Sequence, residues 1–258
     1  MITPPARRRR TGAVVALVLM LVVAVSLTAF VLVVLRPAGG GGPGSGGDGL
    51  RPADVASGTP ATVTAALDPG LDVEAWAARA AGPTEVPARA LRAYAAAELA
   101  QRTATPECRL SWTTLAGIGR VESHHGGLGE AELGADGVPR PRIVGVPLDG
   151  SDGVREVPDT DGGALDGDPV LDRAVGPMQF LPSTWARHGT DGNGDGVADP
   201  HQLDDAARGA AAYLCSGDRD TADGAGWWDA VLAYNASGEY ARLVWAAADR
   251  YARAAVLA

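Results

Sequence analysis

Cysteine is nearly absent from this sequence. Its 258 residues hold two, Cys108 and Cys215, and neither belongs to the short-spaced pairs that mark a metal site. Positive charge is also in deficit. The formal net charge is −9, and because five of the arginines lie at or before position 36, the rest is more acidic than the whole. That argues against nucleic acid or an anionic lipid surface as the partner of the remainder, and leaves a neutral or mixed-charge polymer open. No internal repeat of useful period is present, which excludes a solenoid or propeller. Period-two alternation is scarce, so strands should be few.

What the sequence does have is one long uncharged run. Met1 to Arg10 end in four consecutive arginines, and Thr11 to Leu35 follow without a charge before Arg36. Such a run is long enough to cross a bilayer as a helix, and the basic cluster keeps its N-terminal side in the cytoplasm. Residues 1–10 are expected as a cytoplasmic basic end and 11–35 as a transmembrane signal anchor, with the remainder outside. A cleaved signal peptide is the competing reading. Its usual small-x-small site is matched only by Ala24-Val25-Ser26, inside the apolar run.

Glycine (35) and proline (18) are concentrated in a few stretches, which marks linkers within a foldable chain. Residues 36–64 are expected as a Gly/Pro-rich linker and 65–258 as one catalytic domain. Helical spacing predicts helices over 71–81, 87–102, 111–123, 182–187, 203–215, 226–236 and 239–255. Residues 129–173 hold only short apolar pieces such as Ile143 to Val146 and read as loops with at most a small hairpin. The fold class is mainly α with little β. An outside compartment permits a Cys108–Cys215 disulfide, closing a loop of about 100 residues; two separate buried thiols are the alternative.

In the helix over 111–123, Leu115, Ile118, Gly119 and Glu122 occupy i, i+3, i+4 and i+7, so one carboxyl interrupts the inward stripe. Burial and the negative end of the helix dipole both favour its protonated form, and a protonated glutamic acid can donate to a glycosidic oxygen. By periodicity alone a boundary glutamate reaching solvent is the commoner case. His124 and His125, adjacent at the helix end, should point apart into solvent and receive no role.

Three segments change the weighting: Gly119-Arg120-Val121-Glu122-Ser123-His124-His125-Gly126, then Ala174-Val175-Gly176-Pro177-Met178-Gln179-Phe180-Leu181-Pro182-Ser183-Thr184-Trp185, then Ala233-Tyr234-Asn235-Ala236. In this order they resemble the lytic transglycosylase family of the lysozyme-like superfamily, and more narrowly its membrane-bound lytic transglycosylase B group. The likeness runs from about Cys108 onward. It implies a lysozyme-like α+β domain acting on the glycan strands of peptidoglycan, with Glu122 as the single acid/base. It also implies that Gln179 lines the sugar site and that Tyr234 and Asn235 orient the glutamate and an N-acetyl group. The muramyl 6-hydroxyl then replaces water and leaves a 1,6-anhydro end, with no cofactor required.

Asp161, Asp166, Asp168 and Asp172 could supply the second carboxylate of a hydrolysing muramidase instead. A wall-binding module without catalysis and an adaptor in a membrane assembly are the other function classes. Asp191, Asn193 and Asp195, with Gly196, fit the first half of a calcium loop, although Gln202 at position 12 lacks the closing carboxylate. The resemblance implies an extended version closed by Asp205, with the Val197 carbonyl as a further ligand. A plain Asp/Asn/Gly turn without metal is the alternative.

Overall fold

The computed structural model describes residues 49–62, 66–151 and 155–256. The basic end and the uncharged run at 11–35 lie outside these residues. Among the described residues no helix is long and apolar enough to cross a membrane.

Seven α-helices are described: α1 Val73–Thr84, α2 Ala88–Ala104, α3 Trp112–Ser123, α4 Pro182–His188, α5 Leu203–Leu214, α6 Gly224–Tyr234 and α7 Gly238–Ala255. Their starts follow from capping chemistry. The side chains of Asp72, Ser111, Gln202, Asp223 and Ser237 each accept from a backbone N–H in the first turn that would otherwise be unpaired. A single 3-10 turn, Pro106–Cys108, precedes α3. Strands are minimal: β1 Glu132–Leu133 pairs antiparallel with β2 Pro139–Arg140, with Glu132 opposite Arg140. The loops beyond are joined by isolated bridges, Val144 to Val175, Pro158 to Leu171 and Val175 to Phe180.

α3 is the central helix, packed most extensively against α7 and also against α2. Ten of its twelve residues are buried. Small residues set the spacing, because interhelical distance follows the side chains at the contact. A Cβ at Gly117 would stand 2.8 Å from the Val244 carbonyl oxygen, so α3 and α7 meet backbone to backbone there. Trp112, at the first position of α3, meets Trp76 edge-on at 5.2 Å between ring centres.

Glu98 of α2 is 1% exposed and accepts from the backbone N–H of Trp112 at 2.7 Å and of Leu67 at 3.0 Å. Arg102, 3.6 Å away, supplies a countercharge. Cys108 and Cys215 form a disulfide, their Cα atoms 5.5 Å apart, tying the turn before α3 to the end of α5.

One part of the expected linker takes a different course. Residues 49–62 run along the helical body: Ala53 N–H donates to the Arg242 carbonyl, the Trp228 indole donates to the Thr59 carbonyl, and Leu50, Val55 and Ala61 pack on the core. Their composition is that of a tether, but three apolar side chains and two fixed backbone groups hold them to the domain.

Candidate functional site

Glu122 sits in the last turn of α3, 3% exposed. Burial, the dominant influence, pushes its carboxyl up from 4.5 to about 8; the Tyr240 hydroxyl, donating to Oε1 at 2.6 Å, pulls weakly the other way. The acid is therefore mostly protonated at neutral pH.

Tyr234 ends α6 and donates from its hydroxyl to the Met178 carbonyl at 2.7 Å. Its ring stands between Phe180 and Tyr213, at 5.7 Å from each. Burial first and the Glu122 charge second push its phenol well up, which places it in electrostatic reach of the acid. Gln179 closes the turn from Gly176 to Phe180 with φ of 49°, its side-chain amide donating to the Gly176 carbonyl at 2.9 Å. Val175 and Phe180 exchange backbone hydrogen bonds on either side of that turn. Asn235 is buried at the α6 end, where its Oδ1 accepts from Ser237 N–H at 3.2 Å. The structure thus joins Glu122, Tyr234 and the turn bearing Gln179, and gives Asn235 a place in the link to α7.

Two residues with a part in the site were not singled out from the sequence. Ser123 donates to the Pro177 carbonyl at 2.5 Å and accepts from Gly126 N–H at 2.8 Å, so the Glu-Ser segment is fastened directly to the Gly-Pro-Met-Gln turn. Tyr240 holds Glu122 from α7. The available signal was its position in the buried stripe Tyr240, Val244, Ala247, Tyr251, where a hydroxyl needs a partner.

The expectation for the histidines is half corrected. His124 is exposed, but His125 is 4% exposed, with Nδ1 3.1 Å from the Tyr94 hydroxyl and Nε2 3.0 Å from the Tyr251 hydroxyl. The backbone explains it: φ is 54° at His124, 64° at His125 and 90° at Gly126, so the chain leaves α3 through three left-handed residues and turns the second ring inward. Such a conformation costs about 1–2 kcal/mol per non-glycine residue, which the surroundings must offset.

The loop aspartates serve their own loop. Asp161 accepts from Ala164 and Leu165 N–H, Asp166 from Asp168 and Arg173 N–H, Asp168 from Val170 and Leu171 N–H, and buried Asp172 from the N–H and hydroxyl of Thr160. Oxygens of Asp159, Asp161 and Asp172 lie within 4.8 Å of one another, a kind of grouping that is common without a cation.

The loop from Asp191 to Asp205 is curled around a buried carboxylate. Asp205 accepts from Gly192 N–H at 2.7 Å, Asn193 N–H at 3.2 Å and Asp199 N–H at 2.9 Å. Asp191 accepts from Gly194 and Gly196, Asn193 from Asp195, and Asp195 from Val197. Gln202 is spoken for: its side chain caps α5 by accepting from Asp205 N–H at 3.0 Å. The side-chain oxygens of Asp191, Asn193, Asp195 and Asp205 thus close the loop through its own backbone N–H groups.

Residues 172–227 match a family model described as the transglycosylase SLT domain. This covers the Gly-Pro-Met-Gln-Phe turn, the Asp191 to Asp205 loop, α5 and the start of α6, whereas Glu122, Tyr234 and Asn235 lie outside it. No curated protein and no solved structure matches the chain. Over residues 172–227, less than half of its length, the chain is similar to the transglycosylase SLT domain.

Proposed function

We propose that the chain cleaves the β-1,4 bond between N-acetylmuramic acid and N-acetylglucosamine in peptidoglycan, with Glu122 as its single acid/base. The observation that carries this is a buried carboxyl raised to about 8, whose hydrogen-bond partner is the phenol of Tyr240. Protonated Glu122 donates to the glycosidic oxygen as the C1–O bond breaks. The resulting carboxylate then takes the proton of the muramyl 6-hydroxyl as that oxygen bonds to C1. Glutamic acid is regenerated, and the product carries a 1,6-anhydromuramyl end. Tyr240 holds the acid, Tyr234 fixes the neighbouring Met178 turn through its hydroxyl, and Gln179 and Asn235 are the proposed sugar contacts.

A hydrolytic muramidase needs a carboxylate that holds water opposite the acid. The loop aspartates are committed to backbone N–H groups, which favours the sugar's own hydroxyl. A silent wall-binding module has no use for a carboxyl kept protonated against its preference. Digestion of purified cell-wall glycan followed by mass spectrometry tests the reading. Anhydromuramyl ends are expected, and a product dominated by reducing muramyl ends would falsify it.

The proposed setting is the outer face of the cell membrane, with 11–35 as anchor and N-terminus inside; a disulfide suits that oxidising side. For the loop, Asp191, Asn193, Asp195, the Val197 carbonyl and Asp205 are the proposed ligands of a structural calcium ion. Millimolar calcium is expected to raise the thermal midpoint over that in chelator, and an unchanged midpoint would reject the ion.

A further inference from the structure

The Tyr94–His125–Tyr251 series joins three elements at the point where the catalytic helix ends. Tyr94 comes from α2, His125 from the left-handed exit of α3, and Tyr251 from α7. Both imidazole nitrogens are met, at 3.1 Å and 3.0 Å, and the ring centres lie 5.8 Å apart on each side. Burial, with the Arg120 and His124 charges beside it, pushes the imidazole down to about 3. It is therefore neutral and offers one donor and one acceptor, so one tyrosine donates to it and the other accepts.

Three features connect this strut to Glu122. A Cβ at Gly119, one turn before Glu122, would overlap the Tyr94 hydroxyl, so that hydroxyl lies directly on the catalytic helix. His125 N–H donates to the Gly119 carbonyl at 2.8 Å, closing the last turn over the acid. α7 carries both Tyr251, which takes one end of the imidazole, and Tyr240, which donates to Glu122. Holding Tyr251 thus fixes the helix that supplies the acid's one phenol.

We infer that His125 is a positioning residue for Glu122: a neutral imidazole strung between two buried phenols clamps α7 to the exit of α3, setting the acid's orientation and excluding water from it. The inference rests on the glycan-cleaving reading of Glu122. Besides the phenols of Tyr94 and Tyr251, the titratable groups facing His125 are Arg120 and His124, while Tyr234 and Tyr240 face Glu122.

The test is steady-state kinetics on soluble glycan strands across pH, for the wild type, His125→Phe and Tyr251→Phe. His125→Phe keeps an aromatic ring and removes both hydrogen bonds; Tyr251→Phe removes one hydroxyl. For the histidine variant kcat is expected to fall about tenfold or more, with KM changed less than twofold, as for a misplaced catalytic group. Water reaching Glu122 should also move the alkaline limb of kcat from near 8 to lower pH. Tyr251→Phe should shift both readouts in the same direction by less, and it carries the test if His125→Phe does not fold. Native-like kcat and an unmoved alkaline limb in a folded variant overturn the inference. Loss confined to KM does so too. Absence of cleavage by the wild type would instead overturn the reading of Glu122 itself.

Discussion

Glu98 and Glu122 are both buried glutamates on neighbouring helices, 1% and 3% exposed, and burial raises the pKa of both. Their surroundings differ. Glu98 accepts two backbone N–H groups and has Arg102 nearby, so its charge is used to hold the start of α3. Glu122, at the other end of the same helix, accepts from the phenol of Tyr240 and stands where the dipole is negative. Burial alone therefore does not mark a catalytic acid. What distinguishes the two is whether the neighbours stabilise the anion or leave the proton where it is.

The largest test of this contrast is Glu122→Gln, which keeps shape and removes the transferable proton. Glycan cleavage is expected to fall at least about 100-fold with native circular dichroism. Retained activity would return Glu122 to the same class as Glu98.

A second test uses pH. Folding raises the Glu122 pKa from 4.5 to about 8, so the folded state holds a proton there that the unfolded state releases. Its contribution is fully present below about 4.5 and is lost as pH rises through 8, amounting to at most a few kcal/mol. Glu122→Gln should remove that slope and raise the thermal midpoint at pH 8 relative to wild type. Parallel midpoint-versus-pH curves would show that the carboxyl is not buried as described.

Glu98→Gln should do the reverse of the catalytic substitution. One of its two N–H acceptors becomes an amide nitrogen, so stability should fall by about 1–3 kcal/mol in denaturant titration. Turnover per folded molecule should be nearly unchanged; a loss rivalling that of Glu122→Gln would erase the distinction.

The smallest effect is expected for Tyr240→Phe. The hydroxyl donates to Glu122 and lowers its pKa, so its removal should move the alkaline limb of the rate profile to higher pH. A downward movement would mean that Tyr240 chiefly keeps water out.

The helices were legible because their signals are local. Helical spacing is read over a few turns, and every expected helix is present with its ends displaced by at most three residues. Glu122 was legible because one polar residue broke an apolar stripe. Tyr240 and His125 were not, since their partners lie 118 and 126 residues away and nothing in their own neighbourhoods names them. Left-handed backbone at two successive histidines overrode the rule for helix ends. At Gln202 the sequence offered a failed ligand position, whereas the side chain is the cap of α5. Residues 49–62 misled by composition, because a few apolar contacts and backbone bonds do not require a hydrophobic segment.

That docked segment has a consequence for reach. With 49–62 laid against α6 and α7, the chain available between a proposed anchor ending at Leu35 and the domain is residues 36–48. Whatever their conformation, they can span no more than roughly 45 Å at full extension. Had the whole of 36–64 been free, that radius would be about 100 Å. Were the proposed anchor and the proposed glycan cleavage both to hold, the docked stretch would shorten the leash: strands close to the membrane would lie within reach of the domain, and strands deeper in the wall would lie beyond it.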